Sequence, residues 1–266
     1  MLQGLDPHWL AGLRTGASLA PLRPRLPLRA GEAAIGSVEP GVLERILPLH
    51  LPAGGAVLTL VDGGAAWQVQ GELTSSLALL AAALRDAGLA HAWRDEQLAV
   101  PDTQGRRVAT VERAVVRVLG ITTHAVHLVG LAPDGRVWVQ QRSQDKANDP
   151  GLWDTLMGGM VSAADSVETA LVRETWEEAG LVASRLLNMA RGGRVTTRRP
   201  SSDGGGTGYV VEQIDWYKAV VPDGMVPLNQ DGEVQGFELL GHAALLERLH
   251  RNAFTQEAAL ILCDAL

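Results

Sequence analysis

The chain has 266 residues, of which 46% are hydrophobic and 20% charged, so it can bury one large core or two modest ones. Its net charge of −7 argues against a nucleic-acid-binding protein, because such a protein needs a basic face. Cys263 is the only cysteine, which excludes a disulfide within the chain and a metal site made of cysteines. No apolar run reaches membrane-spanning length and the N-terminus lacks the apolar core of a signal peptide, so we expect a cytoplasmic protein with no membrane partner.

We predict that residues 1–115 form a small mixed α/β domain of unknown role. Substrate specificity and dimerisation are its candidate functions. An Asp-Pro pair favours a helix start and Gly16 its end, while the Pro-, Arg- and Gly-rich segment 17–34 is typical of a loop. Further helices are predicted at 41–49 and 73–87, the second capped by Thr74 or Ser75, and strands or extended segments at 34–38, 56–61, 67–69, 91–94 and 97–100. Isolated histidines such as His50 and His91 are typical of packed or surface positions, so this half carries no obvious chemistry.

We predict that residues 116–266 form a second α/β domain. Its elements, in chain order, are a connecting helix at 112–118, a hairpin of strands 122–132 and 137–142, a polar loop at 143–153, a helix around 165–180, strands at 183–191, 209–220 and 236–240, a helix at 242–250 and an apolar helix or strand at 258–263. The segment 192–208 contains arginines and a run of glycines. We interpret it as a loop at a surface hairpin tip, which is favoured over a phosphate-binding role.

The helix around 165–180 is the best defined element of the sequence. Asp165 is in place to cap its start, and Glu168 three residues later completes a capping box. Gly180 stands where a left-handed stop is expected. The sequence therefore predicts both ends of this helix.

Three glutamates on this helix are the candidate catalytic and metal-binding residues. Glu174, Glu177 and Glu178 are spaced i, i+3 and i+4, so they project from one face. Carboxylates on a half-buried face repel each other and lose hydration, and a bound divalent cation removes both costs. Oxygen-only ligands favour Mg²⁺ or Mn²⁺ over zinc. The alternative is a solvated charged face on an ordinary helix.

The stretch from Gly159 to Leu181 resembles the Nudix box, G-x5-E-x7-R-E-U-x-E-E-x-G-U, in which U is aliphatic. The residues in register are Gly159, Arg173, Glu174, Glu177, Glu178, Gly180 and Leu181. Two positions depart from the pattern, since Asp165 replaces a glutamate and Thr175 replaces an aliphatic residue, adding a hydroxyl that needs a partner. The glycines, the arginine and the spacing together outweigh the surface-helix alternative.

The resemblance extends to segments on both sides of the box. Residues 139–159 are similar to the approach to the box in isopentenyl-diphosphate isomerases and in the Nudix domain fused to fungal thiamine pyrophosphokinase, which has stand-alone plant and bacterial relatives. The second branch fits better, because it also resembles the segments 93–96, 120–130 and 231–239. The resemblance implies a Nudix α/β/α sandwich with a mixed sheet, preceded by a smaller α/β N-terminal domain.

The same resemblance implies a Mg²⁺-dependent enzyme that hydrolyses a small-molecule diphosphate. Relatives in the second branch convert thiamine diphosphate, and preferentially its oxidised analogues, to the monophosphate and phosphate. ADP-ribose or another nucleoside diphosphate derivative is the alternative substrate, and a homodimer is expected because Nudix relatives commonly dimerise. An isomerase is disfavoured because it needs a cysteine near the box, and a non-catalytic ligand sensor is disfavoured by the intact glutamates.

Four further residues have expected roles beside the glutamates. Arg173 is placed to orient a glutamate rather than to bind substrate, and Gly159 to let the backbone approach the metal and the substrate. Arg142 and Lys146 precede the box and are candidates to hold the outer phosphate, with an ordinary surface charge as the alternative.

A general base and an aromatic contact complete the expected site. Glu233, in a predicted turn, is the candidate base outside the helix, and a box glutamate is the alternative. Trp153 is a candidate to stack on a heteroaromatic ring of the substrate, and a core or lid position is the alternative. The sequence leaves both choices open.

Overall fold

The computed structural model describes residues 3–90 and 93–266, and the first of its two main sheets lies in the N-terminal part of the chain. The elements of this part are helix α1 (Pro7–Gly16), strands β1 (Leu26–Ala30), β2 (Ala33–Val38), β3 (Leu58–Val61) and β4 (Ala66–Val69), helix α2 (Leu73–Asp86), and strands β5 (Gln97–Pro101) and β6 (Arg107–Glu112). Strands β1 to β4 pair in the order β2-β1-β4-β3, and β5 pairs with β6 as a separate hairpin.

One apolar core joins the sheet and α2 in this N-terminal part. Trp67 of β4 packs with Leu77, Leu80 and Leu84 of α2, and each of these side chains is at most 1% exposed. Their spacing along α2 gives the helix one apolar stripe, which faces the sheet. The same core extends along the chain to Ile121, a few residues beyond the predicted domain boundary, and that boundary stays a prediction.

The second sheet is mixed and carries the remaining elements. These are strands β7 (Thr123–Leu131), β8 (Val137–Arg142), β9 (Trp153–Asp154) and β10 (Met157–Met160), helix α3 (Val167–Ala179), strand β11 (Leu187–Ser201), the short helix α4 (Asp203–Gly206), strands β12 (Gly208–Val220) and β13 (Val234–Leu240), and helices α5 (His242–His250) and α6 (Gln256–Ala265). The strand order is β11-β12-β7-β8-β13, with β10 on β7 and β9 on β8. Strand β12 runs parallel to β7, while β8 and β10 run antiparallel to it.

Alternate side chains of β7 face two different helical layers. Val126 and Leu128 pack with Leu171 of α3, whereas Ala125 and Val129 pack with residues of α5 and α6. This arrangement confirms the predicted α/β/α sandwich with a mixed sheet, preceded by a smaller α/β unit. No helix formed by residues 3–90 or 93–266 combines the length and apolar character needed to cross a membrane.

The predicted loop at 192–208 is wrong over most of its length. Strand β11 continues to Ser201 and pairs with β12 almost to the end of both strands. Arginine, glycine and threonine residues with an exposed face give this segment no regular apolar alternation. Pairing with the neighbouring strand overrides that weak local preference.

Other local predictions also change where tertiary pairing or a different cap decides the structure. Strand β1 lies within the predicted loop 17–34. Single 3-10 turns at Leu43–Ile46 and Arg113–Val115 replace the predicted helices 41–49 and 112–118. Glu72, rather than Thr74 or Ser75, caps α2. The predicted helices that became α1, α2, α3 and α5 are confirmed. The prediction made for His91, and part of the predicted segment 91–94, lie outside the described residues.

Helix α3 begins one residue later than predicted. Ser166 is its N-cap, and its side chain accepts a hydrogen bond from the N–H of Thr169, whose own hydroxyl accepts one from the N–H of Ser166. Thr169 therefore takes the place in the capping box that was predicted for Glu168. Asp165 does not cap the helix, because its carboxylate is bound by Arg173 and by the Thr169 hydroxyl.

The end of α3 and its unusual threonine agree with the sequence. Gly180 ends the helix with φ 62° and ψ 18°, the left-handed conformation predicted there. The hydroxyl of Thr175 donates to the carbonyl of Leu171 at 2.6 Å, which gives the extra polar group a partner within the helix. The threonine thus replaces an aliphatic residue without leaving a buried donor unpaired.

The cap of α3 can be tested by its contribution to stability. The variant Ser166→Ala removes the acceptor for the N–H of Thr169, so it is expected to lower the free energy of unfolding by about 1 kcal/mol in urea titrations. The matched control is Glu168→Gln, at the position where the sequence placed the capping-box partner, and its expected change is below about 0.5 kcal/mol. A larger loss in Glu168→Gln than in Ser166→Ala would contradict the observed cap.

Candidate active site

A polar cleft opens where β10 and α3 meet the segment that precedes the second sheet. Glu174 and Glu178 of α3 line it beside Gly158 and Gly159 of β10. The charged residues that line it are Arg94, Arg113, Arg117, Arg142, Lys146, Asp149, Asp154, Glu174, Glu178, Arg199, Glu212, Glu233 and Glu257. The cleft therefore brings together acidic and basic side chains from both halves of the chain.

Glu178 is the most deeply buried carboxylate of the box, with 2% of its surface exposed. Its Oε2 accepts hydrogen bonds from Gln140 Nε2 at 2.8 Å and from the N–H of Gly158 at 3.0 Å, and its Oε1 lies 3.6 Å from Lys146 Nζ. Burial raises the pKa of Glu178 above its ordinary value, although the charge of Lys146 and the two hydrogen bonds act in the opposite direction. Strands β8 and β10 and helix α3 thus meet at one carboxylate.

Glu174 lies directly against the backbone of β10. A Cβ atom at Gly159 would stand 2.2 Å from Cδ of Glu174, so any residue other than glycine would collide with that side chain. Gly158 is equally confined, because its Cβ would stand 2.4 Å from Cε1 of His127. Burial, and next the charge of Glu178, raise the pKa of Glu174 to about 7. The glycine pair allows the strand to pack closely onto the glutamates.

Arg173 joins three carboxylates at the edge of the cleft. Its Nε and Nη2 donate to Asp165 Oδ2 at 3.0 and 2.9 Å, and its Nη1 donates to Glu174 Oε1 at 2.9 Å and to Glu177 Oε2 at 2.8 Å. This geometry suits the orienting role predicted for Arg173. Glu177 is the most exposed of the three glutamates, with 41% of its side chain accessible, and it lies outside the lining of the cleft.

The donor chemistry of the cleft fits a hard divalent cation. Glu174 and Glu178 offer carboxylate oxygens to the cleft, and burial is the main cause that raises the pKa of both, because it deprives their charged forms of hydration. Within the described part of the chain, no three His, Cys, Asp or Glu side chains converge on a single metal position. A cation bound there would take the oxygens that now accept from Arg173 and face Lys146.

Lys146 and Glu233 form an ion pair inside the cleft. The amino group of Lys146 also faces Glu178, so it lies between the turn before β13 and the box helix. Burial acts to raise the pKa of Glu233, but the hydrogen bond and charge of Lys146 outweigh it and hold that pKa below its ordinary value. Both predicted residues are therefore beside the box carboxylates.

Two residues predicted to contact substrate are engaged by the protein itself. The guanidinium of Arg142 donates to the carbonyls of Asp149 and Asn148, so it holds the polar loop between β8 and β9. Trp153 does not line the cleft but packs against the core around α5 and α6, with the guanidinium of Arg248 4.2 Å from the centroid of its ring. The geometry places Trp153 in the core, the alternative raised from the sequence.

The sequence did not single out several charged residues of the cleft. Glu212 of β12 accepts a hydrogen bond from Thr123 Oγ1 at 3.2 Å, and Glu257 of α6 accepts one from Arg199 Nη2 at 3.0 Å. Burial, and next the charge of Glu257, raise the pKa of Glu212. One feature of the sequence could have identified Glu212. It stands two residues before the buried Ile214 in a predicted strand, so both side chains are on the same face.

Comparison with known proteins identifies the family. The NUDIX domain profile matches residues 122–260, more than half of the chain, and the protein belongs to this family. The match confirms the resemblance of the box and covers the second sheet, helices α3 to α5 and the first half of α6. The assignment to the branch fused to thiamine pyrophosphokinase stays a prediction.

Several relatives and one solved structure share this similarity. Nudix hydrolase 24 and Nudix hydrolase 20 of Arabidopsis thaliana, both named as chloroplastic, are each 28% identical, over 73% and 69% of this chain and 54% and 49% of their own lengths. An uncharacterised protein of Saccharomyces cerevisiae is 28% identical over 65% of this chain and 54% of its own. The chain thus spans about half the length of the curated relatives it matches. The crystal structure of DR0079 from Deinococcus radiodurans shares the fold, with a TM-score of 0.50 and 19% identity over 64% of this chain and 100% of that one.

The contact between Gly159 and Glu174 can be tested by a double-mutant cycle. Gly159→Ala places a methyl group against the carboxylate, so overpacking is expected to lower the free energy of unfolding by about 1–3 kcal/mol. In the Glu174→Ala background the collision is absent. Gly159→Ala is therefore expected to lower the free energy of unfolding much less in that background than in the parent chain.

The matched control for this cycle is Gly236→Ala in β13, where an added Cβ would meet nothing within 4 Å. Its expected effect on the free energy of unfolding is below about 0.5 kcal/mol. Equal losses in Gly159→Ala and Gly236→Ala would show that the carboxylate does not press on the strand.

Proposed function

We propose that this protein hydrolyses the diphosphate linkage of a small molecule, with a divalent cation held by Glu174 and Glu178 and, once its carboxylate turns from Arg173 towards the cleft, by Glu177. The observation that carries the proposal is that Glu174 and Glu178 line one cleft side by side and that burial, as the main cause, raises the pKa of both; a bound cation would replace the lost hydration. Membership of the Nudix family and the hydrolase names of the plant relatives support it. Because the chain spans about half of those relatives, the activity of the whole protein is part of the proposal.

The residues of the chain divide the work between ligation and positioning. A divalent cation on the box glutamates, Mg²⁺ or Mn²⁺, would neutralise phosphate oxygens and lower the pKa of a bound water. Gln140 and the N–H of Gly158 fix the carboxylate of Glu178, and Arg173 fixes those of Glu174 and Glu177. Such contacts hold ligand side chains in one orientation, which metal sites need.

Glu233 is the proposed general base. It lies in the cleft, and its lowered pKa keeps the carboxylate ionised at neutral pH; because a lower pKa also weakens a base, the proposed role depends on the position of Glu233 rather than on its pKa. Lys146 stands beside it and supplies a cation close to the box glutamates. The pair therefore places a proton acceptor and a phosphate-binding charge at the same wall of the site.

Thiamine diphosphate, or an oxidised analogue of it, is the proposed substrate. The support is the resemblance of the segments 93–96, 120–130 and 231–239 to the thiamine-related branch. The terminal phosphorus of such a diphosphate is the less hindered one, so attack there gives the monophosphate and phosphate. The isomerase alternative is disfavoured further, because the cleft-lining part of the described chain contains no cysteine and Cys263 is buried in α6.

The hydrolase proposal is tested with a panel of diphosphates in the presence of Mg²⁺. Thiamine diphosphate, oxothiamine diphosphate, ADP-ribose and nucleoside diphosphates are incubated with the full chain, and products are separated by chromatography. Glu178→Gln is expected to lower kcat by about a hundredfold or more because it removes a ligand and the charge that the cation needs.

The control for that variant is Glu247→Gln on the exposed side of α5, where the carboxylate pairs with Arg251, and its turnover is expected to match the parent chain. Full activity of Glu178→Gln at limiting Mg²⁺ would overturn the proposed reaction. Hydrolysis of ADP-ribose far above that of every thiamine analogue would overturn the substrate and leave the reaction standing.

The role of Glu233 is tested by the same assay. Glu233→Gln keeps the size of the side chain but cannot accept a proton, so kcat is expected to fall by about 10²–10⁴-fold. Glu238→Gln on the neighbouring strand β13 serves as its control. Retention of more than about a tenth of kcat in Glu233→Gln would assign the base to a box glutamate instead.

A further inference from the structure

The outer part of the cleft has a basic wall that precedes the Nudix domain in the chain. Arg94, Arg113 and Arg117 line both the carboxylate-rich part of the cleft and its outward extension. All three lie before residue 122, where the match to the family begins. Asp203 is the one acidic residue among those described along the outer extension. This wall therefore presents a local excess of positive charge in a chain of net charge −7.

These arginines keep more donors available than the cations beside the box do. Within the described residues, the guanidinium of Arg94 forms no hydrogen bond or ion pair. Arg113 Nη1 lies 2.6 Å from Glu96 Oε2, and Arg117 Nη1 lies 3.4 Å from Asp203 Oδ2, so each keeps further N–H groups free.

The cations predicted to hold phosphate are more heavily engaged. Arg142 donates to two backbone carbonyls and approaches Asp154, and Lys146 lies between Glu178 and Glu233. Each of these contacts leaves fewer N–H groups on Arg142 and Lys146 for a phosphate. In the basic wall, the guanidinium of Arg94 makes no such contact within the described residues.

The backbone of the basic wall is fixed by a buried carboxylate. Glu112, with 2% of its surface exposed, accepts hydrogen bonds from the N–H of Arg94 at 3.0 Å and from that of Ala114 at 3.3 Å. The N–H of Arg113 donates to the carbonyl of Glu96 at 2.8 Å. Arg94 and Arg113 are therefore anchored at their main chains while their side chains reach the cleft, and such anchoring reduces the entropy lost on binding.

The arginines also act electrostatically on two carboxylates of the cleft, Glu233 and Glu212. The charges of Arg113 and Arg94 help to lower the pKa of Glu233, and that of Arg117 acts to lower the pKa of Glu212. Charges that influence these carboxylates are close enough to influence a phosphate bound between them. Guanidinium groups suit this task, because their forked N–H groups match phosphate oxygens.

We propose that Arg94, Arg113 and Arg117, all of which precede the match to the Nudix family, form an anion subsite that holds a phosphate group of the diphosphate substrate. The three arginines line the same cleft as Glu174 and Glu178, so a diphosphate bound there can contact both groups. This inference rests on the proposed function and adds to it that the Nudix domain alone lacks part of its substrate-binding site.

The test uses the full chain with imidodiphosphate, a diphosphate whose bridging nitrogen resists hydrolysis, titrated by calorimetry in buffer with Mg²⁺. Arg94→Ala and Arg113→Ala are each expected to weaken its binding by about tenfold or more, since each removes a charged hydrogen-bond donor to phosphate. Arg94→Lys keeps the charge and is expected to lose less. With a hydrolysed diphosphate, the alanine variants are expected to raise KM by a similar factor and to leave kcat within about threefold.

Arg45→Ala is the matched control, because Arg45 lies in the same domain outside the cleft, with its guanidinium 3.4 Å from the carbonyl of Ala87. Thermal midpoints verify that each variant folds, and Arg94→Ala, at an exposed position, keeps the test informative if Arg113→Ala unfolds. No binding by the parent chain, or equal affinities in the parent, Arg94→Ala and Arg45→Ala, would overturn the subsite. If the parent chain hydrolyses no diphosphate, the proposed function fails, while the imidodiphosphate titrations still decide the subsite.

Discussion

The burial of a single carboxylate, that of Glu178, constrains the structure around it. Removing a carboxylate from water is costly unless hydrogen bonds and opposite charge compensate for the lost hydration. Compensation reaches Glu178 from three separate elements, through the N–H of Gly158, the amide of Gln140 and the amino group of Lys146. Helix α3 can therefore occupy its place on the sheet where these donors meet it. The interaction sets the register of α3 against β8 and β10 and, with it, the position of Glu174.

A second charged network explains why the start of α3 differs from the expectation. The carboxylate of Asp165 accepts two hydrogen bonds from Arg173 and one from the Thr169 hydroxyl, so it is not available to the backbone N–H groups of the first turn. Ser166 then caps the helix. Asp165 instead orients Arg173, which in turn holds two box glutamates. An acid at this position thus serves the site through the arginine rather than the helix through a cap.

Features that depend on neighbours in sequence could be predicted, and those that depend on partners far along the chain could not. The left-handed stop at Gly180 follows from local backbone preference, and the strand β8 follows from its hydrophobic pattern. In contrast, β11 exists because β12 pairs with it, and its own residues give little sign of a strand. The placement of Trp153 in the core likewise depends on α5 and α6, which lie about a hundred residues further along. Within the site, the box identified the carboxylates, whereas the arginines of the basic wall carry no spacing pattern that would connect them to the box.

The location of positive charge follows from how the two halves of the chain use their side chains. Net charge −7 requires any anionic ligand to be met by a local cluster of cations. In the Nudix domain the cations nearest the box already pair with acids, since Arg173 binds Asp165 and Lys146 pairs with Glu233. These pairs hold the carboxylates in position, and each contact they make leaves fewer donors for a ligand. The N-terminal domain does not face this conflict, because Glu112 fixes its backbone while the guanidinium of Arg94 has no partner among residues 3–90 and 93–266. The cations that pair with the carboxylates of the site are thus different from those proposed to bind the ligand. The carboxylates can therefore stay buried while the cleft keeps positive charge that attracts an anion.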